Sequence, residues 1–372
     1  MPLVKTLKRV PVSITGKLKL KLFIKKMHRT GTKRQMHRTQ KHRACYNRKK
    51  RNQLSVVDSH LHLRPFGGPP IPFNKMINIL RKSGVLFVEA EGIGQRLPSD
   101  STCTYYLDCP HVDVKPSIQN DIDNAQSVLN NKLEGIVLNL SMTFPDLANP
   151  DTILPQMRLL EKEYPGMFKW MGEVNLVKQA LFNNGHTPVP SATIKKWAPF
   201  MATLRRNGFP LSIHCDLGND RDPLLYLPLM RKVLRLYPKN KIVWMHLGLS
   251  KELTRLDPYV HTALLGNLLA QYPRLYMDIS WQILYDQEFK DPESRCPYVE
   301  LLNTWPKRFL PGTDFISALK NSGKEYKKEL GMTSNILKSL NDDAFRRIAL
   351  GQNFFDISNT NAKYEAPQVC NF

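Results

Sequence analysis

Two histidines stand one residue apart in VVDSHLHLRP, residues 56–65, where an apolar run ends. Successive side chains of a β-strand point to opposite faces, so His60 and His62 project to one side and Ser59 and Leu61 to the other. Two imidazoles on one side of a strand end can share a metal ion. Other ionisable residues close apolar runs in the same way: Glu173 in FKWMGEVNL, His214 in FPLSIHCDLG, His246 in KIVWMHLGLS, Asp278 in RLYMDISW and Asp314 in RFLPGTDF. Any one of them could be a satisfied core histidine or a helix-capping aspartate. Their joint placement at successive run ends points instead to one shared site.

A fold must bring these ends together. After residue 53, eight β-rich apolar runs, starting near 54, 84, 135, 168, 209, 241, 274 and 308, alternate with segments of helical spacing. In LMRKVLRLY, for example, Leu229, Met230, Val233, Leu234 and Tyr237 share one helix face. Eight βα units in about 260 residues match a (β/α)8 TIM barrel, whose chemistry sits at the C-terminal ends of its parallel strands. A doubly wound sheet would carry a glycine-rich phosphate loop, and EAEGIGQRLPSD offers only Gly92 and Gly94. Residues 95–120 are too long for a plain βα connection and are expected to cover the strand ends as a lid or binding loop.

The net charge of +22 is unevenly placed: residues 1–53 hold 18 of the 54 Lys and Arg and no Asp or Glu. That segment reads as a disordered basic arm, ahead of a barrel over 54–358 and a tail over 359–372. Lysines interrupt its apolar residues, so it is neither a signal peptide nor a membrane span. An organelle-targeting segment, a nucleic-acid or other polyanion-binding arm, and a stretch with no role remain as explanations. The six cysteines are scattered without a CxxC pair, which argues against a disulfide scaffold or a thiolate zinc site. A reducing, cytoplasmic location is therefore expected. Nothing in the sequence sets the oligomeric state.

VVDSHLHL, FPLSIHCDLG, YPKNKIVWMHLG, YPRLYMDIS and WPKRFLPGTDF, in that order and spacing, resemble the amidohydrolase superfamily. The likeness is closest to its amidohydrolase-related branch of metal-dependent hydrolases and decarboxylases. It runs from residue 54 to about 358 and includes FRRIALGQNFFDIS. The resemblance implies that His60, His62, His214 and Asp314 bind a divalent metal, with Glu173 as bridging ligand of a second ion or as a hydrogen-bond acceptor behind a ligating histidine. Zinc suits such donors best, with manganese and iron as alternatives, in one or two ions. Asp314 would also move the proton as acid or base, and His246 would contact the substrate or a second metal and steady an oxyanion. Arg64 is a candidate grip for a substrate carboxylate, and Trp281 for the pocket wall. His186 and His261 fall outside the strand ends and receive no site role.

These readings combine into a metal-dependent hydrolase or lyase acting on a small, carboxylate-bearing molecule. Two alternatives stand beside it. One is a nuclease of the TatD-like type, which the GE pair at 172–173 and the basic arm favour. The other is a non-catalytic metal-binding barrel that associates with nucleic acid through the arm.

Overall fold

The computed structural model describes residues 45–358 and 363–370, and every one of the eight runs becomes strand. They are β1 (Val57–His62), β2 (Phe87–Glu91), β3 (Val137–Met142), β4 (Phe168–Val177), β5 (Leu211–Cys215), β6 (Ile242–Trp244) and β7 (Leu275–Asp278). The last run splits into β8 (Phe309–Leu310) and β9 (Phe315–Ile316). All pair in parallel in the order β8-β7-β6-β5-β4-β3-β2-β1-β9. The two outer members are halves of one run, so the sheet closes on itself. Ser59 N–H donates to the Pro311 carbonyl at 2.9 Å, and Asp314 N–H to the His60 carbonyl at 2.8 Å. This closure makes the predicted (β/α)8 barrel.

Each strand is followed by a helix: α1 (Phe73–Ser83), α2 (Gln119–Asn130), α3 (Ile153–Glu163), α4 (Ala198–Asn207), α5 (Leu227–Leu236), α6 (Pro258–Gln271), α7 (Pro292–Thr304) and α8 (Gly323–Thr333). Local signals set their starts. Ser322 and Glu325 form a capping box ahead of α8, and Asp257 accepts from the Tyr259 and Val260 amides ahead of α6. On α5 the buried face is Leu227, Met230, Val233 and Leu234, close to the face read from the sequence. Leu229 is only partly buried.

The join between β8 and β9 is packed tightly against β1. A Cβ on Gly312 would lie 2.8 Å from the His60 Cβ and 3.0 Å from the Ser280 Cβ. Only glycine lets the loop pass that close. Asp58 secures the same loop, accepting from Thr313 N at 2.9 Å and Thr313 Oγ1 at 2.8 Å, and from Tyr326 Oη of α8 at 2.8 Å.

Two expectations are corrected here. Residues 46–47, inside the span read as a disordered arm, are part of the fold: Tyr46–Asn47 pairs in parallel with Val369–Cys370. Arg48 reaches the Leu340 carbonyl at 2.8 Å and Asp342 at 2.9 Å, and lies 4.3 Å from the centre of the Phe345 ring. The density of basic residues masks Cys45 and Tyr46, which supply the cross-link and the apolar burial that dock this stretch. Residues 1–44, to which the rest of the basic-arm reading applies, lie outside the described residues, as do 359–362 and 371–372. The cysteines are also paired where the sequence suggests free thiols: Cys45 with Cys370 and Cys103 with Cys109. Partners 325 positions apart cannot be recognised from spacing, because the barrel alone brings them to a Cα separation of 5.6 Å. The argument for a reducing compartment falls with that reading. Among the described residues no helix is long and apolar enough to cross a membrane.

The pairing predicts a thiol count. Protein denatured without reductant should show two reactive thiols, Cys215 and Cys296. Six thiols in protein purified under air would refute both bridges.

Candidate metal centre

β1 delivers the first part of the site. His60 Nδ1 lies 2.9 Å from Asp278 Oδ2 at the end of β7, and His62 Nδ1 lies 2.8 Å from the Gly92 carbonyl after β2. A carboxylate and a carbonyl can only accept, so each Nδ1 carries a proton, and each ring in its neutral form presents an Nε2 lone pair. Those two Nε2 atoms are 3.1 Å apart. Asp314 Oδ1, delivered by the β8–β9 join, lies 3.3 Å from His60 Nε2 and 3.1 Å from His62 Nε2. With His60 and His62 neutral, three lone-pair donors thus converge. The ligand atoms of a tetrahedral zinc with bonds near 2.0–2.2 Å stand about 3.3–3.5 Å apart, so the spacing is that of a metal's ligand shell.

A second group forms beside the first. Glu173 Oε1 of β4 is 3.6 Å from His246 Nε2, and Glu173 Oε2 is 3.7 Å from His62 Nε2. His60, Glu173 and His246 offer three ligand atoms close enough for one ion. Ser280 Oγ, after β7, donates to Asp278 Oδ2 and so accepts from His246 Nδ1 at 3.0 Å. That arrangement leaves the His246 Nε2 lone pair facing the Glu173 carboxylate. Lys178 Nζ donates to Glu173 Oε2 at 2.9 Å.

His214, expected as a metal ligand, lies between two carboxylates. Its Nδ1 bonds Glu173 Oε1 and its Nε2 lies 2.9 Å from Asp216 Oδ1. With a carboxylate on each nitrogen the ring is doubly protonated, and it joins neither donor group. It is a cationic strut between two acids. The sequence places His214 at the right strand end but does not reveal Asp216 folding back onto its outer nitrogen.

The backbone is strained where these groups leave the strands. His246 (φ 55°), Leu247 (φ 56°), Trp281 (φ 76°) and Asp314 (φ 59°) are all left-handed without being glycine, just beyond β6, β7 and β8. Such conformations cost about 1–3 kcal/mol each and persist where surrounding contacts over-determine them. Before Glu173, Gly172 has φ 119°, and a Cβ there would meet the Ser212 carbonyl oxygen at 2.3 Å. Glycine is required for β4 to hold Glu173 over the barrel mouth.

Burial sharpens the electrostatics. It would lower the pKa of His60, but Glu91, Asp314 and Asp278 outweigh it and hold the imidazole well above its ordinary range. His214 is raised because Glu173 and Asp216 outweigh burial and Lys178. Burial would raise Glu173, but Lys178 and His214 hold it well below the usual carboxylate range. Burial likewise opposes ionisation of Asp314, and His60, His62 and His246 prevail and lower it. Glu91 is the exception: burial pushes it up to about 7.

Glu91 was missed in the sequence. Its carboxylate ends β2, is fully buried, and has Oε2 3.4 Å from His60 Nε2. The signal was there, since FVEAEGI puts Glu89 and Glu91 on one face of a strand that ends beside β1. Lys178, Asp216 and Ser280 were missed for lack of any motif. Arg64 is turned away from the cluster: its guanidinium bonds Asn124 Oδ1, the Asp123 carbonyl and Ser127 Oγ of α2. The expected grip on a substrate carboxylate is thus taken up by a helix. Trp281 does stand at the site, its ring 5.0 Å from His246. His186 lies behind the site, accepting from Lys178 N at 3.1 Å.

The long loop covers the mouth as expected. Gln95–Arg96 pairs with Lys115–Pro116, and Tyr106 and Ile93 pack on Phe66 and Leu181. Asn184 donates to three carbonyls of this loop, at Tyr106, Cys109 and Val112, and so ties it to the turn after β4. A cavity of about 240 Å³ opens there, lined by Gln95, Asn149, Asn175, Asn184 and His186. A smaller one of about 130 Å³ lies beside Arg64 and Arg96.

Comparison with known proteins gives a consistent result. The profile of a family described as Amidohydrolase matches residues 141–348, more than half of the chain. Among solved structures, an amidohydrolase from Burkholderia multivorans with bound zinc is similar at 13% identity and a TM-score of 0.52, over 82% of this chain and 98% of its own. An Agrobacterium tumefaciens protein in its apo form is similar at 12% identity and a TM-score of 0.50, over 83% and 97%. At such identities the likeness is one of fold. No curated protein matches the chain by sequence.

The charge states predict how the metal-free protein responds to pH. His60, raised when folded, adds stability that is complete below its unfolded value near ~6.5 and fades as pH rises beyond it. Glu91 stays protonated to about 7 when folded but ionises near ~4.3 when unfolded, so it costs stability as pH rises through that window. Glu173 and Asp314 act oppositely, contributing above ~4 and losing their contribution as pH falls below it. In the presence of a chelator the urea midpoint should therefore fall between pH 5 and 8, and Glu91→Gln should flatten that fall. A midpoint that rises over this range would refute the assigned charges.

Proposed function

This chain belongs to the amidohydrolase family, whose chemistry is metal-dependent hydrolysis, and from that premise we propose that it hydrolyses a small carbonyl-bearing molecule at a zinc centre. The observation that carries the reading is the meeting of His60 Nε2, His62 Nε2 and Asp314 Oδ1 at 3.1–3.3 Å with every lone pair turned inward. His60, His62 and Asp314 would hold the first ion, and His60, Glu173 and His246 form a group able to hold a second. When bound, a divalent ion acidifies water toward a pKa of ~7 and polarises a carbonyl.

The chain's own residues supply the rest. Asp314 is the most open member of the first group, with 15% of its side chain exposed, so its carboxylate can take a proton from an entering water and return it to the leaving group. Asp278 fixes the His60 ring and takes the Ser280 proton, which keeps the Nε2 lone pairs of both His60 and His246 inward. Of the roles open to His246, substrate contact, oxyanion donor or second-metal ligand, a proton on Nδ1 favours the ligand. Lys178 holds Glu173 ionised and steady. Trp281 and the loop over residues 95–120 wall the mouth and limit water.

With Arg64 bound to α2, nothing at the cluster argues for a carboxylate on the substrate. The cavity beside β4 mixes apolar residues such as Val114, Leu147 and Val189 with the amides of Gln95, Asn149, Asn175 and Asn184 and the carboxylate of Asp146, and it has no lysine or arginine in its lining. The family match also gives no support to the TatD-like nuclease.

Two experiments test the proposal. Elemental analysis should find at least one zinc per chain, and His60→Ala should lose it while the circular dichroism spectrum stays that of the folded barrel. A variant with full metal content would refute the ligand assignment. Against a panel of lactones, amides and aromatic carboxylates, Asp314→Asn should lower turnover of any hydrolysed compound by about 10²- to 10⁴-fold. Turnover near that of the parent would place the proton elsewhere.

A further inference from the structure

His261 lies in α6, is fully buried, and took no part in the site as read from the sequence. Its Nε2 is 3.0 Å from the carbonyl oxygen of Leu247, and its Nδ1 is 2.8 Å from Tyr298 Oη of α7. Tyr298 is also fully buried, and the Glu288 carboxyl acts on its hydroxyl electrostatically. Leu247 follows His246 inside the left-handed turn. A chain of three side chains therefore runs from Glu288, through two helices, to the backbone that presents His246.

The proton positions in this chain follow from its ends. A carbonyl cannot donate, so the hydrogen between His261 and Leu247 belongs to Nε2. A neutral imidazole then has only a lone pair on Nδ1, which must accept from the Tyr298 hydroxyl. That hydroxyl then has no second proton, so in the inferred chain it accepts from Glu288, which must be the acid. The reverse order would need an imidazolium and a carboxylate separated by a tyrosine in a dry interior, which is expensive. Burial agrees with the neutral order, lowering His261 to about 4 and raising Glu288 to about 7.

We infer that Glu288, Tyr298 and His261 form a proton-ordered chain that anchors the His246–Leu247 turn, which makes His261 a positioning residue for His246. The turn needs such an anchor. His246 and Leu247 have φ 55° and 56°, and Gly248 follows at 79°. From outside, a directed bond to the Leu247 carbonyl complements the bond that His246 N–H makes to Asp278 from within. Removing it frees the turn to relax and the His246 ring to tilt away from Glu173. The link to chemistry rests on the reading of His246 given above, whereas the proton order stands without metal or substrate.

Nitrogen NMR on the full, metal-free, 15N-labelled chain tests this directly. At pH 6, His261 should show a protonated Nε2 and an accepting, pyridine-type Nδ1. An imidazolium, or the Nδ1–H tautomer, would overturn the proposal. In Tyr298→Phe the Nδ1 signal should shift toward that of an unbonded pyridine-type nitrogen, and an unchanged signal would likewise refute the chain. His261→Leu should split or broaden the His246 ring signals, and His261→Gln, whose amide both donates and accepts, should restore a single set. If His261→Leu folds with His246 signals like those of the parent, His261 does not position it. If His261→Leu does not fold, the Tyr298→Phe spectrum decides. Should the tautomer hold while zinc never binds, the metal-centre reading fails and the proton-ordered chain stands.

Discussion

The site is governed by one electrostatic constraint: three atoms bearing lone pairs, His60 Nε2, His62 Nε2 and Asp314 Oδ1, are held within 3.1–3.3 Å of one another in a buried place. Left alone they repel, and in a low-dielectric interior that repulsion is large. A proton can relieve it in part, which is why the surrounding acids hold His60 well above its ordinary pKa. A divalent cation relieves it fully. Much of the surrounding structure keeps these three atoms from escaping each other.

The restraint works by fixing protons. Every histidine at the mouth has its outer nitrogen engaged: His60 with Asp278, His62 with the Gly92 carbonyl, His246 with Ser280 and His214 with Asp216. For three of them this leaves a lone pair facing inward; for His214, caught between Asp216 and Glu173, it leaves a cation. Lys178 adds a second buried positive charge beside Glu173. Without a metal the mouth thus sets His214, Lys178 and a His60 that holds its proton well above the usual range against a larger number of carboxylates, Glu91, Glu173, Asp216, Asp278 and Asp314. Such a deficit of positive charge is what a metal cation would fill.

The scaffold supports this by closure. Because β8 and β9 are two halves of one run, the loop between them is gripped by β7 on one side and β1 on the other. Asp314 sits in that loop, so barrel closure and ligand placement are one event. Asp58 and Gly312 secure the same join, and the strained turns after β6 and β7 sit beside it. On the outer surface, the Cys45–Cys370 bridge and the short strands next to it tie together segments far apart in the chain.

Much of this was legible in the sequence because it is periodic or terminal. Alternation with period two put His60 and His62 on one face, the eight apolar runs gave the barrel, and the polar residues closing those runs gave the positions of His246, Glu173 and Asp314. These features depend only on neighbours along the chain. What the tertiary structure alone decided depends on distance in space. Arg64 was claimed by α2, Asp216 folded back on His214, Lys178 reached Glu173 from five residues away, and Cys45 met Cys370. His261 acquired a task only because α6 packs against α7 and the turn after β6. Sequence specified which donors stand at the strand ends. Which nitrogen of each ring carries the proton depends on partners that arrive from other strands and helices once the barrel closes.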